Sequence, residues 1–469
     1  MRWSGTRDAM LTIRESFRSF LTAYSNWKGS SMHRRILGAT IIVAVFTGVA
    51  KLIFFGKELV VAWQFGTLDA LDAFLIAYVV PSFAINLIAG SINAALIPVY
   101  VQTREQQGPS AANQLYASVM TLGILFLSIF TGLILVSAPA YLQFLASGFE
   151  ADKLRLTLQL LYVMSPVIVL SGATTIRGAV LNAVEKFAAP ALIPVVTPTL
   201  TIVFILLGGS FLGIYSLALG LVIGQLAEAF LLGSALKRRG VRTAPAWHGF
   251  DENVRQVVQQ LLPMVAGTVL MGSMQIVDQA FAASLPAGNV AVLGYGNKII
   301  SFPQQIAATA IGTSILPYFS RMLAQNDWQA ARKTLARYLK LIFLLTVPAT
   351  LLLVVFSEPL VRLLLQRGAF TEADTKVVAV VQALGALQTP FMLGGILIVR
   401  LLSAVKANHI MMWIASVNLI VNIAADYLLM QLYGVAGIAL ATSLVYFVSF
   451  SLLFVSVSVI IKRNDSKEP

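Results

Sequence analysis

Residues 138–152 read APAYLQFLASGFEAD, and residues 358–374 read EPLVRLLLQRGAFTEAD. The prolines of the two stretches, Pro139 and Pro359, are 220 residues apart, and so are the glycines that follow them. Similarity at one fixed offset is the pattern of an internal repeat. We therefore predict that the chain is built from two related halves.

The composition around this repeat is that of a membrane protein. Apolar residues make up 58% of the 469 residues and charged residues 11%, whereas a soluble domain carries roughly 25% charged residues. So few polar groups could not cover a soluble surface, which excludes soluble enzymes, nucleic-acid-binding modules and disordered proteins. The net charge of +13 therefore does not indicate a nucleic-acid partner.

Twelve apolar stretches are long enough to cross a bilayer, which takes about 20 residues each. They are 36–65, 72–102, 113–140, 155–181, 187–208, 211–236, 255–284, 288–320, 338–357, 376–403, 408–432 and 434–461. We predict an all-α polytopic membrane protein with about 12 transmembrane helices.

Further matches extend the repeat along both halves, in the same order and at nearly the same offset. They pair Pro98 with Pro317, Arg177 with Arg400, Gly213 with Gly434, and Glu58 with Asp278. Six spans in each half give both halves the same orientation, which is a parallel repeat about an axis along the membrane normal. We predict two six-helix lobes around a central cavity, which is an architecture typical of transporters.

Lysine and arginine cluster in segments that the positive-inside rule assigns to the cytoplasm, so both termini are predicted to lie there. Four connecting segments on the other side contain neither residue: 66–71, 209–210, 285–287 and 433. The predicted organisation is a basic amphipathic segment at 1–35, an N-lobe at 36–236, a basic cytoplasmic linker at 237–254, a C-lobe at 255–461 and a cytoplasmic tail at 462–469. The amphipathic segment is either an interfacial helix on anionic lipid or a basic tail that only sets the topology.

The sequence has few of the residues on which catalysis or metal binding depends. There is no cysteine, which excludes disulfides and thiolate sites. The three histidines, His33, His248 and His409, are scattered and form a poor metal set. No Walker motif is present. We predict no enzymatic activity, no catalytic residue and no cofactor apart from a candidate sodium ion.

A charged residue inside a transmembrane span costs free energy and therefore needs an explanation. Lys57 and Lys298 lie at similar depth in opposite halves, where neither reaches the cytoplasmic face easily. With Lys51, they predict a cationic pocket for a phosphate or diphosphate. The alternative for Lys51 is an ion pair with Glu58, seven residues further along the same helical face.

A second group of polar residues shares one depth in the C-lobe. Asn418, Asn422 and Asp426 form a stripe along one face of span eleven, and Asp278 and Thr442 lie equally far from the outer side. All offer oxygen atoms, which a hard cation prefers. We predict a sodium site, with two alternatives: a hydrogen-bonded packing network with one protonated carboxylate, or a proton relay.

The sequence resembles the MurJ/MviN family of lipid II flippases, as a divergent member, within the multidrug/oligosaccharidyl-lipid/polysaccharide exporter superfamily. The motifs that carry the resemblance are GKELVVAWQFG and LDAFLIAYVVPS within 56–82, ALIPVY at 95–100, YGNKIISFP at 295–303, ILPYFSRML at 315–323 and LLLQRGAFTEADT at 363–375. The resemblance implies alternating access in the bacterial cytoplasmic membrane and a cationic cavity for the diphosphate of a lipid-linked sugar.

The resemblance also assigns site residues. Lys51, Lys57 and Lys298 stand where the family has arginine, and Glu58, Asp72, Asn86 and Asn297 are expected to be polar residues of the cavity. Asp278, Asn422, Asp426, Thr442 and the carbonyl of Ile438 resemble the sodium site of some members.

The sequence departs from the family pattern in span two. Ile85-Asn86 and Ala89-Gly90 replace an Arg-Arg pair and a Glu-Gly pair. In span eight, Asn297 and Ser301 replace acidic residues.

The expected function is translocation of a polyprenyl-diphosphate-linked oligosaccharide from the inner to the outer leaflet, coupled to a cation. The substrate is either lipid II or a related exopolysaccharide repeat unit, and the expected partners are that substrate and membrane lipid, with the protein as a monomer. A cation-coupled exporter of small amphiphiles is the alternative, and a polysaccharide polymerase or ligase ranks last.

Overall fold

The structure of the chain, a computed structural model, describes residues 32–241, 244–405 and 407–465. Within these ranges every regular element is a helix, which confirms the predicted all-α class. Most of the predicted N-terminal amphipathic segment, residues 1–31, lies outside the described residues, and so does the end of the predicted tail from residue 466.

The first half contains eight α-helices and one short 3₁₀ turn among the described residues. They are α1 Met32–Phe65, α2 Asp69–Gln107, α3 Pro109–Leu145, α4 Ala151–Met164, α5 Pro166–Ala183, α6 Ala188–Leu192, the 3₁₀ turn Ile193–Val195, α7 Val196–Leu212 and α8 Tyr215–Lys237. The second half contains nine. They are α9 Glu252–Ala283, α10 Asn289–Ser314, α11 Leu316–Ala324, α12 Trp328–Val355, α13 Ser357–Leu365, α14 Glu372–Ala386, α15 Thr389–Ala404, α16 Asn408–Tyr433 and α17 Val435–Asp465.

Each predicted span coincides with one of these helices or with a run of successive ones. Among the described residues, nine helical segments are long and apolar enough to cross a membrane, which confirms a polytopic membrane protein. Three of these segments are interrupted near a proline: α4 ends just before Pro166, α6 ends two residues before Pro194, and α14 ends shortly before Pro390. Proline lacks the N–H that continues a helix, and its ring clashes with the preceding turn.

The order of helices in the second half repeats that of the first. The interrupted pair α4–α5 corresponds to α14–α15, and the closing pair α7–α8 corresponds to α16–α17. Both closing pairs are joined at a glycine with positive φ, 53° at Gly213 and 57° at Gly434. A residue with a Cβ would cost roughly 1–2 kcal/mol in that conformation, so glycine suits this tight connection in both halves.

The two halves meet along α2 and α9, which run antiparallel against each other. Near the middle of this interface Gly272 lies against the ring of Phe83. At the end where α2 finishes, Asn253 exchanges hydrogen bonds with Gln107 at 3.1 and 3.2 Å and accepts one from Thr103 at 3.4 Å. This packing fixes the position of one half relative to the other and leaves a space between them.

Candidate functional site

A cavity of about 750 Å³ lies between the two halves. It is lined from α1, α2, α7 and α8 in the first half and from α9, α10, α15 and α17 in the second. Its volume is within the range of roughly 300–1,000 Å³ that is usual for small-molecule sites. The cavity therefore has room for a small molecule or for one part of a larger one.

Two of the predicted substrate lysines meet in this cavity across the halves. Lys57 on α1 forms an ion pair with Glu58 at 2.5 Å, and Lys298 on α10 forms a second ion pair with the other oxygen of the same carboxylate. The three side chains remain 23%, 16% and 35% exposed for Lys57, Glu58 and Lys298. One carboxylate thus faces two ammonium groups, which leaves a local excess of positive charge in the cavity wall.

Lys51 lies apart from this group. Its ammonium donates a hydrogen bond to Gln305 Oε1 at 2.5 Å, which also joins α1 to α10. Lys51 is two helical turns before Glu58 on α1, about 10 Å along the axis at 1.5 Å per residue. The ion pair with Glu58 that was the alternative for Lys51 is therefore not formed, because Lys57 and Lys298 occupy that carboxylate.

Two of the four predicted polar residues of the cavity line it in the structure. Glu58 and Asn297 line it, whereas Asp72 and Asn86 are not among its lining residues. Asn86 is exposed and lies one turn beyond the cavity residue Ser82 on the same face of α2. The prediction that Asp72 is a cavity residue is wrong, because its side chain is only 1% exposed and is turned toward the start of α10.

Asp72 caps α10 from the opposite half. Its carboxylate accepts hydrogen bonds from the backbone N–H groups of Gly288 at 2.7 Å and Ala291 at 2.8 Å. Lys153 on α4 pairs with the same carboxylate at 2.9 Å and with the exposed Asp69 at 2.6 Å. A negative charge at a helix N-terminus satisfies free N–H groups and interacts favourably with the helix dipole.

Further contacts join the halves at this end of the cavity, which we call the outer end because the connecting segments 66–68 and 284–288 lack Lys and Arg. The N–H of Ala369 donates to Trp63 O at 2.9 Å, and the Thr67 hydroxyl donates to Asp374 at 2.5 Å. The Tyr295 hydroxyl donates to Gly66 O at 3.1 Å. The outer end of the cavity is therefore closed by direct hydrogen bonds between the halves.

The five residues of the predicted sodium site lie together where α9, α16 and α17 meet. The Asn422 amide donates to Asp278 at 2.9 Å and to Asp426 at 3.2 Å, so it bridges the two carboxylates. The Thr442 hydroxyl lies 3.0 Å from Ile438 O and 3.4 Å from Asp278 Oδ2. We call this group the acidic cluster: Asp278, Asn422, Asp426, Ile438 and Thr442.

The donor set of the acidic cluster fits a hard cation such as sodium. All its candidate ligands are oxygen atoms, and two of them, Asn422 Oδ1 and Asp426 Oδ1, are buried with no hydrogen-bond partner among the described residues. Asn422 is 1% exposed and Asp426 is 0% exposed, so two carboxylates share a dry site and need a cation or a proton to offset their charge. Asp278 and Thr442 also line the cavity, so the cluster adjoins it.

The sequence analysis missed a group of carboxamides in the cavity wall. The second half contributes six of them: Gln275, Gln279, Asn297, Gln304, Gln305 and Gln388. Of these, only Asn297 was singled out. The spacing of Gln275 and Gln279, one turn apart in an apolar helix, is the signal that points to a shared polar face.

The model of the family described as "Lipid II flippase MurJ" matches residues 61–464. A protein of Rickettsia prowazekii described as a probable lipid II flippase MurJ is 27% identical over 88% of this chain and 82% of its own length. A Burkholderia cenocepacia protein described as lipid II flippase MurJ is 26% identical over 89% of this chain and 82% of its own length.

Solved structures show the same fold. A lipid II flippase MurJ in an inward closed conformation has a TM-score of 0.77 at 23% identity, covering 89% of this chain and 87% of the other. An inward-facing transporter of the multidrug resistance MATE family has a TM-score of 0.74 at 12% identity, covering 92% and 99%. The predicted resemblance is confirmed, and with it a family of transporters rather than enzymes: the chain belongs to the lipid II flippase MurJ family.

Proposed function

We propose that the protein translocates lipid II from the inner to the outer leaflet of the bacterial cytoplasmic membrane by alternating access. The observation that carries this proposal is the meeting of Lys57 and Lys298, from opposite halves, at the single carboxylate of Glu58 inside the cavity. In a chain of the lipid II flippase family, this arrangement supports binding of the substrate's diphosphate between the halves.

The chemistry of the three side chains suits a diphosphate. Each lysine ammonium has three N–H donors, so its bond to Glu58 leaves further donors for phosphate oxygens. A diphosphate that approaches both ammonium groups gains charge-assisted hydrogen bonds, which are roughly twice as strong as neutral ones. Because the two lysines belong to different halves, a bound diphosphate ties the halves together, and its release accompanies their separation.

The outer end supports the alternating part of the mechanism. Substrate release outward requires that the halves part at Asp72, Thr67 and Tyr295, whose hydrogen bonds close that end. One chain supplies both walls of the cavity, so the protein acts as a monomer, and no nucleic acid takes part.

We also propose that transport is coupled to a cation, with sodium ahead of a proton. The acidic cluster would hold it through Asp278, Asp426, Asn422, Thr442 and the carbonyl of Ile438. A bound cation would supply the positive charge that two buried carboxylates lack. Because Asp278 also lines the cavity, occupancy of the cluster changes the charge of the wall that the substrate faces.

Flipping in proteoliposomes tests the proposal. At limiting lipid II, Lys57→Ala and Lys298→Ala are expected to reduce the initial rate by about 10- to 100-fold each, the equivalent of one lost charge-assisted hydrogen bond. Lys→Arg at either position is expected to retain more activity, since the charge is kept.

A matched control is Lys376→Ala. Lys376 is 62% exposed, and its one ion pair among the described residues is with Glu372 on its own helix, so its loss is expected to leave the flipping rate unchanged. Normal flipping by both cavity alanine variants would show that the lysines do not bind the diphosphate. A parallel assay with a lipid-linked exopolysaccharide repeat unit decides the substrate, since faster flipping of that lipid would replace lipid II in the proposal.

A further inference from the structure

The cavity wall differs chemically between the two halves. Every carboxamide among its described lining residues belongs to the second half. The first half contributes Lys57, Glu58 and the hydroxyls of Ser82, Thr197 and Thr201. The rest of its lining surface is apolar and aromatic: Phe54, Phe74, Leu75, Tyr78, Val79, Pro198, Leu217 and Leu221. Within the described part of the chain, a molecule held between the halves therefore meets carboxamides on one side only.

Two of the six carboxamides have structural roles. Gln304 donates a hydrogen bond to the Thr389 hydroxyl at 2.9 Å, which ties α10 to α15. Gln305 accepts the hydrogen bond of Lys51. The other four make no side-chain hydrogen bond within the described part of the chain, and we call them the amide wall: Gln275, Gln279, Asn297 and Gln388.

Three members of the amide wall lie on helices, and the fourth lies in the two-residue turn between α14 and α15. Gln275 and Gln279 are four residues apart and share one face of α9. Asn297 lies on α10, and Gln388 lies directly before α15. Gln388 is only 7% exposed although it lines the cavity, and Gln279 Oε1 is buried without a hydrogen-bond partner in the described ranges. Buried polar atoms are almost always paired; the Gln279 amide oxygen lacks a hydrogen-bond partner among the described residues, and a molecule in the adjoining cavity is able to supply one.

The residue type identifies the chemistry of that partner. A carboxamide carries no charge, donates two hydrogen bonds and accepts at its oxygen. Sugar hydroxyls and acetamido groups likewise both donate and accept. A small organic cation, by contrast, needs carboxylates or exposed aromatic faces, and a phosphate needs the lysines.

We propose that the amide wall binds the uncharged saccharide portion of the substrate head group and makes the cavity selective for a glycosylated lipid diphosphate over the bare one. This inference rests on the proposed function, in which Lys57 and Lys298 bind the diphosphate. Lys298 pairs with Glu58 and directly follows Asn297 in the chain, and all three residues line the cavity, so a sugar attached to that diphosphate lies within reach of the wall. A site built to hydrogen-bond a group discriminates strongly against an analogue that lacks it.

The test compares binding of two lipids to the purified protein: a polyprenyl diphosphate that carries an N-acetylated disaccharide, and the same polyprenyl diphosphate without sugar. Gln279→Met and Gln388→Met keep the length of the side chain and remove its hydrogen bonds. Each is expected to weaken binding of the glycosylated lipid by about 3- to 10-fold, the effect of one neutral hydrogen bond. Binding of the bare lipid diphosphate is expected to change less than twofold.

Three controls distinguish binding of the saccharide by the amide wall from a purely structural role of its residues. Gln325→Met makes the same substitution at an exposed residue that is not among the lining residues of the cavity, and it is expected to leave both affinities unchanged. Thermal unfolding of each variant shows that it is folded. Because Gln279 follows Asp278 in the chain, its variant must also keep the sodium-dependent stabilisation of wild type. Asn297→Leu provides a third amide variant on a separate helix.

The outcomes are distinct. If the folded variants bind both lipids more weakly by the same factor, or bind both as tightly as wild type, the proposal that the amide wall binds the saccharide is wrong. Wild-type protein that binds neither lipid would refute the proposed function and this inference with it. If wild-type protein binds both lipids equally and the lysine variants bind neither, the diphosphate site is supported and the proposed selectivity for the saccharide is wrong.

Discussion

Replacing Asp72 by asparagine tests how the outer end of the cavity is held closed. Asparagine keeps the size of the side chain but loses the charge and one of the two acceptor oxygens. One of the two N–H groups that Asp72 now binds, those of Gly288 and Ala291, then lacks its acceptor. Lys153 loses the buried member of its two ion pairs.

The size of the effect follows from these contacts. One lost charge-assisted hydrogen bond is worth about 1.5–3 kcal/mol, and the interaction of a carboxylate with a helix N-terminus adds roughly 0.3–2 kcal/mol. The closed outer end is thus expected to be destabilised by about 2–5 kcal/mol. That corresponds to a shift of about 30- to 5,000-fold toward the open form.

Distances between spin labels measure this shift. The chain contains no cysteine, so two introduced cysteines are the only labelled sites, and Ser147→Cys and Arg367→Cys place labels on exposed positions of the outer ends of the two halves. In Asp72→Asn, the distance distribution is expected to gain a longer component that wild type lacks.

Asp69→Asn is the matched control. Asp69 pairs with the same Lys153 at 2.6 Å but is 62% exposed, and among the described residues it makes no hydrogen bond or ion pair with the second half. Exposed ion pairs contribute at most about 1 kcal/mol, so its distance distribution should equal that of wild type. A wild-type distribution in Asp72→Asn would refute the idea that this carboxylate holds the outer end closed.

Two further predictions concern the acidic cluster and a glycine at the outer end. Sodium, but not potassium, is expected to raise the unfolding temperature of wild type by binding only the folded state. Asp278→Asn and Asp426→Asn should abolish that rise. The control is Asp327→Asn, which changes a helix cap remote from the cluster and should keep the rise. Equal stabilisation by sodium and potassium would exclude a sodium site. Gly368→Ala is expected to destabilise the protein more than Gly213→Ala, although both glycines have positive φ. A Cβ at Gly368 would lie 2.3 Å from Trp63 O, whereas one at Gly213 meets no described atom within 4 Å; equal unfolding temperatures for the two variants would contradict this close approach.

The all-α membrane class and the positions of the helices along the chain were predictable from the sequence. Apolar stretches long enough to cross a bilayer are local features, and each of them coincides with helices of the structure. The repeat was predictable too, because a fixed offset between matching motifs needs no knowledge of packing. The same holds for the acidic cluster: Asn422 and Asp426 are four residues apart on one helix, and helical geometry places them on one face.

The partners of the charged residues were decided only by the tertiary structure. Glu58 and Lys298 are 240 residues apart, and Asp72 and Gly288 are 216 residues apart, so their pairing depends on how the two halves pack. Periodicity gives the depth of a residue and the face of its helix, but not which helix of the other half lies opposite. For that reason the sequence indicated two lysines at one depth, while only the folded chain showed that they share one carboxylate and that Asp72 caps α10 rather than lining the cavity.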